Sequence, residues 1–199
     1  MIAATILAAG TSSRMGFPKA LLGFHGKTFL QSILDATEAL AVQRYVVLGP
    51  QADKIMPQHD LRDVTILRNT DMDAGPIGSI RASVQAVLPH PVDGLVVWPV
   101  DFPHVAVETV SRLIDRFRAG DVAIVVPVLE NRRGHPTIFG RSVFNELLSK
   151  SADAGANAVV RADPARVAEV VVEDRAVLDS LNTPGAYQDL LRWEDRFRS

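Results

Sequence analysis

The first stretch of the chain whose residue types suggest chemistry is a loop of glycine, small hydroxyl and basic residues. It follows an apolar run over residues 2–9 that is typical of a buried strand. Glycine lets the backbone turn sharply and approach a ligand, and small hydroxyls with open N–H groups suit an anion. Arginine holds phosphate oxygens through two parallel hydrogen bonds, and lysine supplies a compact positive charge. The stretch therefore predicts a phosphate-binding loop. Its residues are Gly10, Thr11, Ser12, Ser13, Arg14, Gly16 and Lys19.

This loop differs from the two commonest phosphate-binding patterns. Only Gly10 and Gly16 are available for the dinucleotide fingerprint G-x-G-x-x-G. Five residues separate these glycines and Phe17 follows the second, so the P-loop pattern does not fit either. The alternative is an ordinary strand-to-helix turn with two solvated cations, and Arg14, Gly16 and Lys19 together favour a binding loop.

An aspartate follows a fully apolar strand predicted at residues 95–98. Asp101 lies between Pro99 and Pro103, whose rings stiffen the backbone around it. Protein sites for Mg²⁺ commonly use one or two carboxylates together with substrate phosphates and waters. Asp101 is therefore a candidate metal ligand, and the alternative is that it caps the helix predicted to follow.

The loop after the predicted strand at residues 64–67 begins at Asn69 and has two further features. Asp71 and Asp73 have the D-x-D spacing of the metal motif of many glycosyltransferases, but a polar turn around them favours a solvated turn. The small residues between Gly75 and Ser79 stand at a predicted helix start, where N–H groups stay free and a flat base can approach. This loop is therefore predicted to belong to a nucleotide pocket.

The segment over residues 7–19 reads L-A-A-G-x-x-x-R-M-G-x-x-K. It resembles the signature of nucleotidyltransferases similar to the molybdenum cofactor cytidylyl- and guanylyltransferases, and sugar-phosphate and methylerythritol-phosphate nucleotidyltransferases carry looser forms. The resemblance implies that Arg14, Lys19 and Asp101 are the catalytic residues and that Asp101, in P-x-D-x-P, holds the metal. It also implies a set of nucleotide-binding residues. They are Leu7, Ala8, Ala9, Gly10, Thr11, Ser12, Ser13, Arg14, Lys19, Asn69, Gly75, Ser79 and Asp101.

The stretch from Ser180 to Pro184 resembles the last motif of this family. Cytidylyl members usually have D-x-D-T-P there, and the second Asp joins the metal. In this chain Asn182 occupies that position, as in the N-x-N-T-P of guanylyl members, while Asp179 is one position out of register. The resemblance implies that Asn182 assists Asp101 at the metal, through a carbonyl oxygen in place of a carboxylate.

Gly134, His135 and Pro136 resemble the G-H-P element that lies near the second substrate in this family. Arg133 and His135 are accordingly predicted to bind the acceptor. The alternatives are a structural histidine, and two solvated loop cations at Arg132 and Arg133.

Buried strands alternate with amphipathic helices along the chain, which predicts an α/β fold with a mainly parallel sheet. Ligands of such sheets bind beyond the carboxyl ends of the strands. The loops at residues 10–19 and 69–79 and the loop at Asp101 are therefore expected to face one crevice. The resemblance implies a Rossmann-like, three-layer nucleotidyltransferase domain over residues 1–199, with an antiparallel excursion near residues 130–140 and 167–178.

The overall composition excludes several classes of protein. The net charge of −2 offers no broad basic surface for nucleic acid. The absence of cysteine excludes disulfides and thiolate metal sites and fits a reducing cytoplasm. Apolar runs are shorter than the roughly 18 residues of a membrane span, and no basic leader precedes the first strand. We therefore expect a cytoplasmic protein without a membrane or nucleic-acid partner.

Together these observations predict a Mg²⁺-dependent nucleotidyltransferase in which an acceptor phosphate attacks the α-phosphorus of an NTP. The L-A-A-G form resembles cytidylyl members, whereas guanylyl members usually have L-A-G-G, so CTP is favoured over GTP. The resemblance implies the molybdenum cofactor as the phosphorylated acceptor and a molybdoenzyme as a possible partner. Two alternatives stay open: a sugar-phosphate nucleotidyltransferase, and a non-catalytic nucleotide- or cofactor-binding protein with a weakened metal site.

Overall fold

Apolar runs of the sequence form strands, and the amphipathic stretches between them form helices. The computed structural model describes residues 1–10, 16–69, 71, 73–149 and 152–198. Its strands are β1 Ile2–Ala8, β2 Gly23–Phe24, β3 Lys27–Thr28, β4 Gln43–Leu48, β5 Val64–Arg68, β6 Gly94–Pro99, β7 Ile124–Leu129, β8 Arg132–Arg133, β9 Thr137–Gly140 and β10 Val167–Val171. Its α-helices are α1 Phe29–Ala39, α2 Ala52–Ile55, α3 Pro76–Val87, α4 Val107–Arg118, α5 Phe144–Leu148, α6 Ala156–Ala162 and α7 Pro184–Arg198.

The central sheet has the strand order β10-β7-β9-β6-β1-β4-β5, with β8 paired to β7. β1 is central and runs parallel to both β4 and β6, and β5 continues the parallel arrangement beyond β4. β2 and β3 form a separate antiparallel hairpin. The carboxyl ends of β1, β4, β5 and β6 therefore lie at one edge of the sheet.

Helices cover both faces of this sheet. Side chains alternate along a strand, so successive residues of β1 face opposite layers. Ile2 and Ile6 belong to the core that contains α1 and α4, whereas Ala3 belongs to the core with α3 and α5. Thr5 Oγ1 lies 2.7 Å from Ser83 Oγ of α3, so two buried hydroxyls satisfy each other. This arrangement confirms the predicted three-layer α/β fold.

Capping residues stand at the ends of two helices. Thr28 caps α1, because its side-chain oxygen accepts a hydrogen bond of 3.0 Å from the Gln31 backbone N–H. Gly120 follows α4 with a φ of +84°, a conformation that glycine adopts without the steric cost of a Cβ atom. Among the helices in the described part of the chain, none combines the length and apolarity needed to span a bilayer.

The prediction of antiparallel strands is confirmed for one segment and wrong for the other. β9 runs antiparallel to both β6 and β7. β10, however, pairs in parallel with β7, with Val167 opposite Ile124. β9 ends at the edge of the sheet opposite the carboxyl ends of the parallel strands, and α5 and α6 connect that end to the start of β10. β10 consequently begins where β7 begins and runs in the same direction.

The first turn of α4 receives its capping group from a distant segment. Asp174 Oδ2 accepts hydrogen bonds of 2.9 Å from the Ala106 backbone N–H and from the Thr109 hydroxyl. Its Oδ1 accepts one of 3.0 Å from the Ala176 backbone N–H. Asp174 therefore joins the start of α4 to the segment that leads into residues 180–184.

We expect Asp174→Ala to lower the free energy of unfolding by about 1–2 kcal/mol, because the Ala106 N–H and the Thr109 hydroxyl at the start of α4 lose their acceptor. Urea unfolding followed by circular dichroism measures the change. Asp174→Asn is the matched control, since it keeps an acceptor oxygen and should lose less stability. An Asp174→Ala protein with the unfolding midpoint of the wild type would contradict this account.

Candidate active site

The loops that follow β1, β5 and β6 meet at the carboxyl edge of the sheet. The Val100 backbone N–H donates to the Leu7 carbonyl at 3.1 Å and ties the exit of β6 to the end of β1. The Asn69 backbone N–H donates to the Leu48 carbonyl at 2.9 Å and ties the exit of β5 to β4. The topology thus brings the three predicted loops to one side of the molecule.

The end of β1 is open toward solvent. Leu7 is half-buried, Ala8 and Ala9 are buried, and Gly10 is exposed. A Cβ atom built on Gly10 meets no atom of the described residues within 4 Å, so these residues leave the backbone accessible there. Thr11, Ser12, Ser13 and Arg14 lie outside the described residues, and their role in phosphate binding stays a prediction.

A residue that sequence reasoning missed supports this end of β1. A Cβ atom on Gly49, just after β4, would collide with the backbone of Ala9. Only a residue without a side chain allows that approach. In the sequence, Gly49 and Pro50 after an apolar run indicate a turn, but they do not show that Gly49 lies against Ala9.

Lys19, Asp101 and Asn182 come together from three distant parts of the chain. The Lys19 ammonium donates a hydrogen bond to Asn182 Oδ1 and lies 3.9 Å from Asp101 Oδ2. The Lys19 and Asp101 side chains are 19% and 14% exposed, so this charge pair is largely withdrawn from water. Partial burial strengthens the attraction between opposite charges compared with an exposed pair.

Ser180 completes this group and was missed as a site residue. Its hydroxyl donates to Asp101 Oδ2 and accepts a hydrogen bond from Asn182 Nδ2. Asp101, Ser180, Asn182 and Lys19 therefore form a closed ring, which we call the Asp101 ring. Sequence offered one signal for Ser180, its place two residues before Asn182 in the same motif.

The backbone around Asp101 is fixed by contacts with buried neighbours. The Trp98 indole N–H donates to the Phe102 carbonyl at 2.9 Å, and the Phe102 backbone N–H donates to the Pro99 carbonyl at 3.1 Å. The Leu181 backbone N–H donates to the Asp101 carbonyl at 2.9 Å. Since Asp174 caps α4, the alternative of Asp101 as the cap of that helix is wrong.

On the predicted base side, Asn69 and Ser79 are both buried and bond to each other. Asn69 Nδ2 donates to Ser79 Oγ at 3.0 Å, and Asn69 Oδ1 accepts from the Asp71 backbone N–H at 2.9 Å. The pair fixes the loop after β5 against the first turn of α3. Gly75 has a φ of +64° and open space around its Cβ position. Contact of these residues with a base stays a prediction.

The exposed Asp71 has a local role. Its Oδ1 accepts a hydrogen bond of 3.1 Å from the Ala74 backbone N–H, as expected for a turn. Asp73 is also exposed. The geometry agrees with the solvated turn that the sequence favoured.

His135 lies beside the turn that carries Asp101. Its ring centroid is 4.9 Å from that of Phe102, and its backbone N–H donates to the Val177 carbonyl at 2.8 Å. Burial lowers the pKa of the His135 imidazole, and the Asp101 carboxylate opposes that shift. Its Nδ1 is buried and has no hydrogen-bond partner among the described residues.

Arg133, unlike His135, has an exposed side chain that pairs with a carboxylate. Its Nε donates to Glu169 Oε1 of β10 at 2.7 Å, and both side chains are exposed. Arg132 is exposed as well. An acceptor would have to compete with Glu169 for Arg133, and acceptor binding by Arg133 and His135 stays a prediction.

The donor set of the Asp101 ring suits a divalent cation that a ligand also coordinates. Asp101 supplies a carboxylate and Asn182 an amide oxygen. Over the described ranges, no group of three or more acidic or histidine side chains is arranged to hold a metal ion. Mg²⁺ commonly combines one or two carboxylates with substrate phosphates, so the residues fit a nucleotide-bound cation better than an autonomous site.

The sequence of this chain is similar to those of known proteins. Residues 4–169 match the family model described as the MobA-like NTP transferase domain. A protein named nicotine blue oxidoreductase, from Paenarthrobacter nicotinovorans, is 30% identical over 193 residues, which cover 92% of each chain. A probable molybdenum cofactor guanylyltransferase from Bacillus mycoides (strain KBAB4) is 27% identical over 136 residues, 66% of this chain and 64% of that protein.

A solved structure extends the likeness to nearly the whole chain. Rv0371c from Mycobacterium tuberculosis H37Rv has a TM-score of 0.83 and 30% identity, covering 96% of this chain and 97% of its own. Its complex with manganese has a TM-score of 0.79 and 31% identity, covering 96% and 98%. A divalent metal ion therefore occurs in a protein similar to this one.

We expect Trp98→Phe to lower the free energy of unfolding by about 1–3 kcal/mol, because the Phe102 carbonyl loses its partner in a buried position. The turn that carries Asp101 should also lose its position, so Mn²⁺ binding in the presence of nucleotide should weaken. Urea unfolding and metal titration measure the two effects.

Phe144→Leu, in α5, is the control for Trp98→Phe. It removes buried aromatic volume on the other face of the sheet and should lower stability alone. Equal metal affinity in Trp98→Phe and Phe144→Leu would contradict the positioning role of Trp98.

Two half-buried imidazoles predict a free energy of unfolding that depends on pH. Burial lowers the pKa of His104 against the opposing charges of Asp179 and Asp174, and burial also lowers that of His135. Both groups favour the folded state fully above the unfolded pKa near 6.5. This stability is lost as the pH falls from there through the lowered folded-state values, because the unfolded chain binds more protons.

Urea unfolding between pH 5 and pH 8 tests this expectation. His104→Gln should reduce the loss of stability below pH 6.5, whereas His90→Gln provides a substitution at an exposed histidine. The same pH dependence in His104→Gln and the wild type would contradict the contribution of His104.

Proposed function

The chain belongs to the MobA-like NTP transferase domain family, and we propose that it transfers a nucleoside monophosphate to a phosphorylated acceptor. The favoured donor is CTP and the favoured acceptor is the pterin phosphate of the molybdenum cofactor. The observation that carries the proposal is the convergence of Lys19, Asp101 and Asn182 beside the open end of β1.

In the reaction, an oxygen of the acceptor phosphate forms a bond to the α-phosphorus of the NTP. The bond from that phosphorus to the oxygen bridging the α- and β-phosphates breaks, and pyrophosphate leaves with the electron pair. The protein then contributes by positioning the two substrates and stabilising negative charge, without a covalent intermediate.

Lys19 is assigned to the triphosphate. Its ammonium is largely withdrawn from solvent on a short turn close to the end of β1. Charge-assisted hydrogen bonds to phosphate are shorter and stronger than neutral ones. Gly10, where the backbone is open, gives the phosphates access to that position. Arg14 is assigned to the same phosphates from its place in the loop sequence.

Asp101 and Asn182 are assigned to Mg²⁺, which would neutralise charge on the phosphate oxygens when bound. Ser180 holds one carboxylate oxygen of Asp101, so the carboxylate keeps a fixed orientation. A manganese complex of a similar protein supports a divalent cation. The buried Asn69 and Ser79 pair is assigned to shaping the base pocket through the loop that it holds.

The choice of CTP rests on Ala9. Its methyl group stands where guanylyl members of the family usually have glycine, which leaves less room for a purine. A pocket difference of one methyl group is worth about 1–3 kcal/mol. The Bacillus mycoides relative bears the name of a guanylyltransferase, so GTP is the competing donor.

A second candidate is an oxidoreductase built on the same fold. It is favoured by the nicotine blue oxidoreductase that matches over 92% of each chain. An oxidoreductase would leave the NTP intact and would need an electron donor or acceptor. Nucleotide cleavage therefore separates the two functions.

The function is tested by pyrophosphate release from CTP, GTP, UTP and ATP, each with Mg²⁺ and with or without a molybdopterin-type acceptor. We expect release that depends on the acceptor and is fastest with CTP. Faster release with GTP would overturn the choice of donor. Intact NTP under all conditions would overturn the proposed transfer to a molybdopterin-type acceptor.

Two variants locate the activity in the Asp101 ring. Lys19→Ala should weaken NTP binding with native stability, and Asp101→Asn should abolish turnover while sparing most nucleotide binding without metal. Lys27→Ala is the matched control, because Lys27 pairs with Asp35 outside the ring. Wild-type turnover in Asp101→Asn would move the metal site elsewhere, with Asp71 and Asp73 as the next candidates.

A further inference from the structure

The Lys19 ammonium lies among the same oxygen atoms that the proposed function assigns to the metal. It donates to Asn182 Oδ1 and is 3.9 Å from Asp101 Oδ2. Among the described residues, Lys19 is the one basic side chain within 4.0 Å of that carboxylate. Within the described part of the chain, this ammonium is the positive group that balances the charge of the Asp101 carboxylate, which is only 14% exposed.

The other members of the Asp101 ring hold this arrangement in place. Ser180 donates to Asp101 Oδ2 and accepts from Asn182 Nδ2. The Asn182 amide is therefore oriented with its nitrogen toward Ser180 and its oxygen toward Lys19. The ring presents its oxygen atoms to a cation, and in this structure that cation is the Lys19 ammonium group.

We propose that Lys19 is the resident cation of the Asp101 ring and that nucleotide exchanges it for the divalent metal. The inference rests on the proposed function, because it requires the metal to bind at Asp101 and Asn182. In the free protein the ammonium occupies the metal's oxygen donors and repels a second cation. When a triphosphate arrives, its oxygens provide Lys19 with a more highly charged partner and release Asn182 Oδ1.

Electrostatics supports this exchange. Two positive charges about 4 Å apart repel in water, and the repulsion grows where solvent is partly excluded. A metal entering before the nucleotide would meet that repulsion and an amide oxygen already engaged by Lys19. A metal arriving with the nucleotide brings phosphate oxygens that complete its octahedron. Metal and nucleotide are therefore expected to bind together.

The proposed exchange predicts that removing the Lys19 charge increases metal affinity in the absence of nucleotide, although Lys19 is assigned to phosphate binding. Replacing Lys19 by methionine removes the ammonium and keeps much of the volume of the side chain. Without nucleotide, Lys19→Met should bind Mn²⁺ about tenfold more tightly than the wild type, because the repulsion disappears. With CTP present, the order should reverse, since the variant has lost a phosphate ligand.

The experiment is a titration of the nucleotide-free protein with Mn²⁺ alone, followed by electron paramagnetic resonance of the unbound ion. Lys27→Met is the matched control and should bind Mn²⁺ as the wild type does. In the double variant Lys19→Met with Asp101→Asn, the gain in affinity should disappear. These results together would place the gained metal at Asp101.

Unchanged or weaker Mn²⁺ binding by folded Lys19→Met would overturn the proposal, as would a gain that survives in the double variant. Thermal unfolding establishes that each variant is folded. If Lys19→Met does not fold, Lys19→Gln removes the same charge, and its Mn²⁺ affinity tests the proposal in the same way. The titration contains neither nucleotide nor acceptor, so its outcome is independent of whether pyrophosphate release is observed.

Discussion

The arrangement of this site depends on one partly buried carboxylate at the end of a buried strand. A charged group withdrawn from water is costly unless it has a counter-charge and hydrogen bonds. Asp101 has both, from Lys19 and from Ser180. Neither partner is close in sequence, so the fold must bring two distant segments to the end of β6.

The sheet and its connections satisfy that requirement. β6 pairs with β1, whose exit loop leads to Lys19, and Leu181 bonds to the Asp101 carbonyl from the other side. Asp174 caps α4 and thereby holds the chain just before Ser180. The Trp98 indole N–H donates to the Phe102 carbonyl and so stabilises the turn that carries Asp101. The position of one oxygen atom is thus determined by contacts from four separate parts of the chain.

The fold was largely predictable because hydrophobic periodicity indicates where strands and helices lie and capping residues indicate where helices end. The apolar runs located the strands, and the structure has residue types suited to capping at two helix ends, Thr28 and Gly120. The antiparallel direction that the resemblance implied for residues 167–178 was wrong for β10, and hydrophobic periodicity carries no strand direction that could have corrected it. Direction is set by where α5 and α6 return the chain, which is a property of the assembled layers.

Residues of the candidate site could be predicted only where the residue type and its position in the sequence indicate a role without knowledge of its neighbours in the fold. Asp101 and Lys19 could be found from charge, loop position and resemblance. Ser180 could not be recognised as a site residue, because a serine gains its role from the two side chains that it joins. Asn69 and Ser79 show the converse, since two polar residues expected at a ligand are used first to satisfy each other. Hydrogen-bond partners of this kind are decided by tertiary neighbours.

The same logic explains how one fold accommodates relatives with different names. The open backbone after β1 belongs to the sheet, whereas the proposed metal binding would depend on a few side chains around Asp101. A change from carboxylate to amide at position 182 leaves the strand order and the loop intact but removes one negative charge. Lys19 then suffices to neutralise the remaining carboxylate. Under the proposed function, small changes in the Asp101 ring would alter its charge, and with it the activity, without disturbing the core.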